Sequence, residues 1–297
     1  MISLPLFRFS IIASQLFLLT TFIIFNSPVY AELPELGDPT LQTFSTAEEK
    51  KLGLMFYRTL KDNLTFIDDP QLNYYIKNLG KRLASHSDAA SNDFKFFIVD
   101  SHAINAFAGP DAYIGINSGL FLESSNESQL ASVMAHEISH VSQRHLARAI
   151  DESGNSAIAT FATVLAAILL GSENSDVTQA VLYSGLAGAQ QNAINFTRSN
   201  EYEADRIGIG ILAKTGLNPQ GMVDFFSTLL SKGGDGGIEY LRTHPLNTNR
   251  VSEAKDRIKS IQLNLPDNSQ DFQFAHARLS VISNKNPLSV KTHPENR

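Results

Sequence analysis

The chain contains no cysteine among its 297 residues. That excludes structural disulfides, thiolate zinc sites and a lipid-modified N-terminal cysteine. It also lacks a basic surplus: 24 Lys and Arg stand against 30 Asp and Glu, giving a net charge of -6 with no dense basic run. This argues against nucleic acid as the main partner. The glycine-rich stretch 233–237 carries no phosphate-loop pattern, and no internal repeat is evident. Charge is scarcest at the N-terminus, where Arg8 is the only charged side chain before Glu32. Ser10 to Phe25 is largely apolar, and Val29-Tyr-Ala31 places small residues at the −3 and −1 positions of a cleavage site. We read residues 1–31 as a secretory signal peptide cleaved before Glu32, with an uncleaved membrane anchor as the alternative. Residues 32–44 are proline-rich and read as an extended leader.

What the chain does contain is His136-Glu-Ile-Ser-His140. On a helix, residues four apart project from one face, so both imidazoles aim at a common point. That geometry supplies two of the three protein ligands of a catalytic zinc, with Glu137 beside them as a general base toward water. Leu130, Val133, Met134, Ile138 and Val141 recur at helical spacing, Ser125 or Asn126 can cap the start, and Gln129 holds a capping-box position. Taken alone, the motif is also compatible with a helix bearing two ordinary histidines. Downstream, Glu201 and Asp205 are four apart in a helix-compatible segment. Glu201 can complete a His2Glu ligand set, and Asp205 can accept a hydrogen bond from a ligand imidazole. Alone, that pair would pass for a solvated acidic face.

Around these lie packing elements. Ser45-Thr46 followed by Glu48 and Glu49 opens a helix with an apolar stripe through Leu52, Met55, Phe56 and Leu60. A second helix follows Asp69-Pro70. Phe94–Val99 and Tyr113–Ile116 read as strands separated by a turn at Asn105–Pro110. His86 and His102 read as surface or hinge residues, and His145 as a packing residue roughly opposite His136 on the same helix. The apolar stretch 157–171 reads first as a buried core helix, with a mobile flap or a membrane-contacting hairpin as alternatives. A long helix resumes from Val177 and ends near Gly216 and Pro219. Gly208 and Gly210 within it point to close approach of another backbone. A helix from Met222 to Leu230 precedes the flexible stretch 233–237.

Five ordered stretches give the chain a specific resemblance. They are His136–His140 with its Val-Ser-Gln-Arg-His-Leu-Ala-Arg continuation; Phe196–Arg206; Asn105–Pro110 followed by Tyr113–Phe121; Gly216–Pro219; and Thr243–Arg250. From about Thr46 to Ile261 the chain resembles the M48 zinc metallopeptidases, and within them the periplasmic beta-barrel assembly-enhancing protease group. It departs at Gly109-Pro-Asp-Ala112, where the family usually carries a Pro-Gly-Gly turn, and in having little of that group's C-terminal helical-repeat domain.

The resemblance implies a mainly α fold with a small β-sheet (α+β), a zincin-like metallopeptidase domain built on the H-E-x-x-H helix. The domain would span 45–265, followed over 266–297 by the start of a helical repeat at Asp271–Leu279 and a polar tail. It implies one zinc per chain on His136, His140 and Glu201, with Glu137 and Asp205 as catalytic groups. Asp205 reads better as the orienting partner of a ligand histidine than as a proton donor. In this family the residue matching His244 faces the metal, making it a reversible fourth ligand or an oxyanion stabiliser that the glycine-rich stretch lets move. Arg250 would orient a polar group nearby. The small sheet would lie at the cleft, where an edge strand can hold an extended polypeptide. The expected function is a periplasmic endopeptidase that degrades misfolded outer-membrane proteins and assists their assembly, with polypeptide precursors and assembly machinery as partners and peripheral membrane contact. The competing reading is a chaperone or assembly factor with gated or secondary proteolysis. An exopeptidase has no visible terminus-capturing motif.

Overall fold

The structure is a computed structural model that describes residues 45–89, 93–153, 187–232, 238–261 and 267–283. All of them belong to one compact unit, Thr40–Arg297. The signal peptide, the leader, the apolar stretch 157–171, the glycine-rich 233–237 and the tail from 284 lie outside the described residues.

Helix α1 (Thr46–Asn63) starts on a complete capping box: Ser45 Oγ accepts from Glu48 N, and Glu48 Oε2 accepts from Ser45 N. Helix α2 (Pro70–Ala84) follows the N-cap Asp69, with proline in the first turn, where its missing N–H costs nothing. Three short strands come next: β1 (Lys95–Val99), β2 (Ala106–Ala108) and β3 (Tyr113–Asn117). Their order is β1-β3-β2, with β1 parallel and β2 antiparallel to β3. Two sequence expectations are corrected here. Asn105–Pro110 is more than a turn, because Ala106–Ala108 pairs with Ile114–Ile116. The two strands read from the sequence, β1 and β3, are neighbours that run parallel, and β2, which lies between them in the chain, makes the antiparallel return on the far side of β3.

Side chains alternate across this sheet. Phe96, Ile98, Ala106, Ile114 and Ile116 face the main core, while Phe97, Val99 and Phe107 join Phe56 and Leu60 of α1 in a second cluster. The link into β3, Pro110–Ala112, holds Asp111 and Ala112 at φ 56, in the left-handed region that favours glycine. Gly53 of α1 sits against it, where an added Cβ would come within 2.5 Å of Asp111 Cβ.

Helix α3 (Ser118–Glu123) leads to α4 (Glu127–Ser142), which is buried without interruption from Glu127 to Ser139. A helix covered on every side sits at the centre of its domain. Asn126 caps it by accepting from Gln129 N, and Gln129 returns the bond to Ser125 N. After α4 come α5 (His145–Ser153), α6 (Ala187–Thr215), α7 (Gln220–Lys232), α8 (Glu239–Thr243), α9 (Thr248–Lys259) and α10 (Gln270–Ser283). Glycines let two helices approach α4 closely. A Cβ on Gly221 of α7 would meet the Ser128 backbone at 2.4 Å, and one on Gly208 of α6 would meet His136 N at 3.3 Å. Gly210 has nothing within 4 Å, so the close approach expected there is absent. Helix α10 buries Phe272, Ala275 and Leu279 and ties Arg278 to Asp69 at the start of α2. No described helix is long and apolar enough to cross a membrane.

Candidate metal centre

The reciprocal cap at Asn126 and Gln129 fixes the phase of α4, and that phase turns His136 and His140 toward one point. Their Nε2 atoms lie 3.0 Å apart. Helix α6 crosses at Gly208 and delivers Glu201 to the same point. Glu201 Oε2 is 3.3 Å from His136 Nε2, and Oε1 is 3.4 Å from His140 Nε2. One turn on, Asp205 Oδ1 stands 3.0 Å from His136 Nδ1 on the far side of that ring. Short helix α8 brings in His244, whose Nδ1 lies 3.0 Å from Glu201 Oε1 and 3.3 Å from His136 Nε2. Tyr240 stacks on the His244 ring with centroids 4.5 Å apart. The four groups His136, His140, Glu201 and His244 offer ligand atoms within 4.8 Å of one another and could together hold a metal ion.

The donor set fits a cation on its own chemistry. Three imidazole nitrogens and a carboxylate oxygen turned on one point are the nitrogen and oxygen donors that suit a divalent cation such as zinc. Glu137 Oε1 is also buried without a hydrogen bond, which is costly unless a positive charge answers it. The buried charges of the cluster also shift one another's titration. Burial opposes charge on Glu201, yet His244 and His136 outweigh it and hold the carboxyl well below its ordinary range. Burial likewise opposes the charge on His136, but Glu201 and Asp205 raise it to about 10. His140 falls to about 3, mainly through burial. Glu137 is raised, again chiefly by burial.

Arg250, fully buried on α9, grips Asp205 with both arms: Nε to Oδ2 at 2.7 Å and Nη2 to Oδ1 at 2.8 Å. Its Nη1 donates to Pro245 O and stands 2.9 Å from Glu201 Oε2.

Residues 70–258 match the profile of peptidase family M48. The chain belongs to that family. The beta-barrel assembly-enhancing protease of Escherichia coli (strain K12) is 41% identical over 258 residues, covering 85% of this chain and 53% of that protein. The relative of the same name in Yersinia pestis is 41% identical over 254 residues, covering 85% and 52%. A protein named metalloprotease YcaL, from Escherichia coli (strain K12), is 30% identical over 188 residues, covering 61% of this chain and 70% of its own length. The chain therefore spans about half the length of the curated beta-barrel assembly-enhancing relatives it matches.

Within the M48 domain, every residue the sequence singled out for the site lies in this cluster or touches it, while His86 and His102 are exposed. His145 is buried and outside the four ligand groups, as a packing residue would be, but its expected direction is corrected. Helix α4 ends at Ser142, Arg144 turns the chain at φ 52, and His145 starts α5 with its Nδ1 2.7 Å from His140 Nδ1. A reading that extends one helix through Arg144 puts the ring on the wrong side. Also missed were Glu203, which accepts from His145, and the pair Asn105–Glu239. In that pair Nδ2 donates to Oε1 at 2.6 Å and ties α8 to the entry of β2. Pairings this distant in sequence leave no local pattern.

Proposed function

We propose that this chain is a zinc-dependent endopeptidase of the bacterial cell envelope, acting in the periplasm on misfolded or stalled outer-membrane proteins. The observation that carries the reading is the convergence of two imidazoles from α4, the Glu201 carboxylate from α6 and His244 on one point. His136, His140 and Glu201 would hold the zinc. When bound, zinc supplies Lewis acidity to the scissile carbonyl and to the attacking water.

The remaining chemistry belongs to the chain. Glu137 Oε1 is buried and without a hydrogen bond, and the raised pKa of the group suits a base that takes a proton from water and passes it to the leaving amine. The Glu137 carboxylate also accepts from the Ala108 backbone N–H, which registers the base against β2. Strand β2 is an outer strand of the sheet formed by the described residues, so an extended polypeptide can pair along it with its carbonyls beside Glu137. Asp205, held by Arg250, orients His136 through Nδ1. This supports an orienting role for Asp205 over that of proton donor. His244 could hold the metal as a fourth group, its Nδ1 beside Glu201 and its Nε2 3.5 Å from Glu137 Oε1. That position favours gated proteolysis: His244 blocks the site until α8 moves.

The substrate class rests on the names of the beta-barrel assembly-enhancing relatives. Purified protein should contain one zinc per chain, lost in His140→Ala. Glu137→Gln should keep the metal and reduce casein cleavage about 100-fold or more. If Glu137→Gln still supports maturation of outer-membrane precursors, the chain acts as an assembly factor and the peptidase reading of its role fails.

A further inference from the structure

His145 is buried and has no part in the chemistry above, yet both of its ring nitrogens are committed. Nδ1 lies 2.7 Å from His140 Nδ1, and Nε2 lies 3.1 Å from Glu203 Oε2. Glu203 Oε2 also accepts from Arg148 Nη2 at 2.9 Å, and the same Nη2 donates to Asn200 Oδ1. The two rings meet edge to face, with centroids 4.7 Å apart at 75°. The approach depends on Arg144, a non-glycine residue in the left-handed region that turns the chain back beneath His140. Such a conformation persists only where surrounding contacts hold it. One of them is Arg144 Nη1 to Glu49 at 3.2 Å.

We propose that His145, anchored by Glu203, is the positioning residue that fixes the tautomer of His140. The inference rests on the reading of the cluster as a zinc site. Proton counting leaves the chain of hydrogen bonds one consistent direction. Glu203 is an acceptor already engaged by Arg148, so His145 must present Nε2–H to it. A neutral His145 is then bare at Nδ1 and accepts from His140 Nδ1–H. That leaves the lone pair of His140 Nε2 free and turned toward His136 and Glu201. In the reverse direction, a bare His145 Nε2 would face the Glu203 carboxylate, and His140 Nε2 would carry a proton where a ligand atom is required. The two ligand histidines are therefore held differently. His136 Nδ1 rests on a carboxylate, Asp205, and His140 Nδ1 on a neutral ring backed by a carboxylate one step farther out. A metal-ligating histidine whose remote N–H loses its acceptor binds metal about 10–100-fold more weakly.

The first test uses zinc-loaded wild-type protein labelled with 15N-histidine. Long-range proton–nitrogen spectra should show His145 protonated at Nε2 and bare at Nδ1, with His140 protonated at Nδ1. His145 protonated at Nδ1 overturns the proposal. The second test is chelator competition for zinc. His145→Leu keeps bulk but offers no acceptor, and should bind zinc about 10–100-fold more weakly while its metal-free unfolding midpoint stays close to wild type. His145→Asn places an amide oxygen near the Nδ1 position and should recover most of that affinity. Zinc affinity within about threefold of wild type for His145→Leu, or equal losses for Leu and Asn, overturns the inference alone. Wild-type protein that takes up no zinc removes the proposed function and this inference with it.

Discussion

Arg250→Met tests how the site is held together apart from how it reacts. The arginine is 2% exposed, its guanidinium lies 5.4 Å from the Phe226 ring centroid, and it faces two buried carboxylates. Methionine keeps most of the volume and the contact with Phe226. It leaves Asp205 with His136 as its remaining charged partner and brings Glu201 Oε2 no compensating donor. Stranding one member of a buried ion pair costs about 3–5 kcal/mol. In a domain of this size each kcal/mol lowers the unfolding midpoint by about 2–4 °C, so the expected fall is about 6–20 °C. Thermal unfolding followed by circular dichroism in EDTA reads it directly. Zinc would place positive charge beside Glu201, so the loss should be smaller in zinc-loaded protein. Asp205→Asn removes the stranded charge, and the double variant should be more stable than the summed single effects by about 1–3 kcal/mol. A loss below about 1 kcal/mol, or a cycle additive within about 0.5 kcal/mol, would refute the reasoning.

Gly53→Ala should destabilise the domain by about 1–3 kcal/mol in urea unfolding, because the new methyl meets the Asp111 side chain and Pro110 O at 2.5 and 2.8 Å. Helix propensity alone predicts a gain of about 1 kcal/mol, so the sign decides between them. The Arg278 hydrogen bond lowers Asp69 to about 2 from its ordinary 3.8. A depressed carboxylate stabilises the fold above its unfolded pKa, so docking of α10 should hold above pH 3.8 and loosen as pH falls toward 2. The pair is at the surface, so its contribution is small and screened by salt. Amide protection of α10 at the two ends of that window measures it, and Arg278→Ala should flatten the difference. Under the gated reading, Glu239→Ala releases the tie to Asn105 and frees α8 to carry His244 away. Casein cleavage should rise, as it should for His244→Ala; a fall in both would mean that the tie holds the working conformation.

Much of the fold was legible because its signals are local. The serine and asparagine caps, Asp69-Pro70 and the apolar spacing of α4 each act over a single turn, and the structure places those helix starts where the residues imply. The sheet was less legible. Strand β2 is three residues long, and Ala-Phe-Ala has no period of its own to set against a turn. That β1 and β3 run parallel has no local signature, because side chains alternate between the two faces whichever way the strands pair. The left-handed turn at Asp111 and Ala112 was hidden for a related reason. This chain holds the conformation with ordinary residues, packed against Gly53 of α1.

The site divides along the same line. His136, Glu137 and His140 share one turn, so spacing alone aims them together; Glu201 and Asp205 also share a turn, and their two faces follow from it. Joining the pairs depends on Gly208, whose missing side chain lets α6 lie against the backbone at His136. Sequence marked that glycine as a close approach without naming what approached. His145 shows the opposite case. Its distance from His140 along the chain is fixed, but its direction depends on one backbone angle at Arg144, a residue whose type gives no warning of φ 52. Had the helix run on, the ring would have pointed away and His140 Nδ1 would need another acceptor. The contact that sets the ligand's tautomer is therefore decided by a helix ending, and helix endings without glycine or proline are where sequence is least informative.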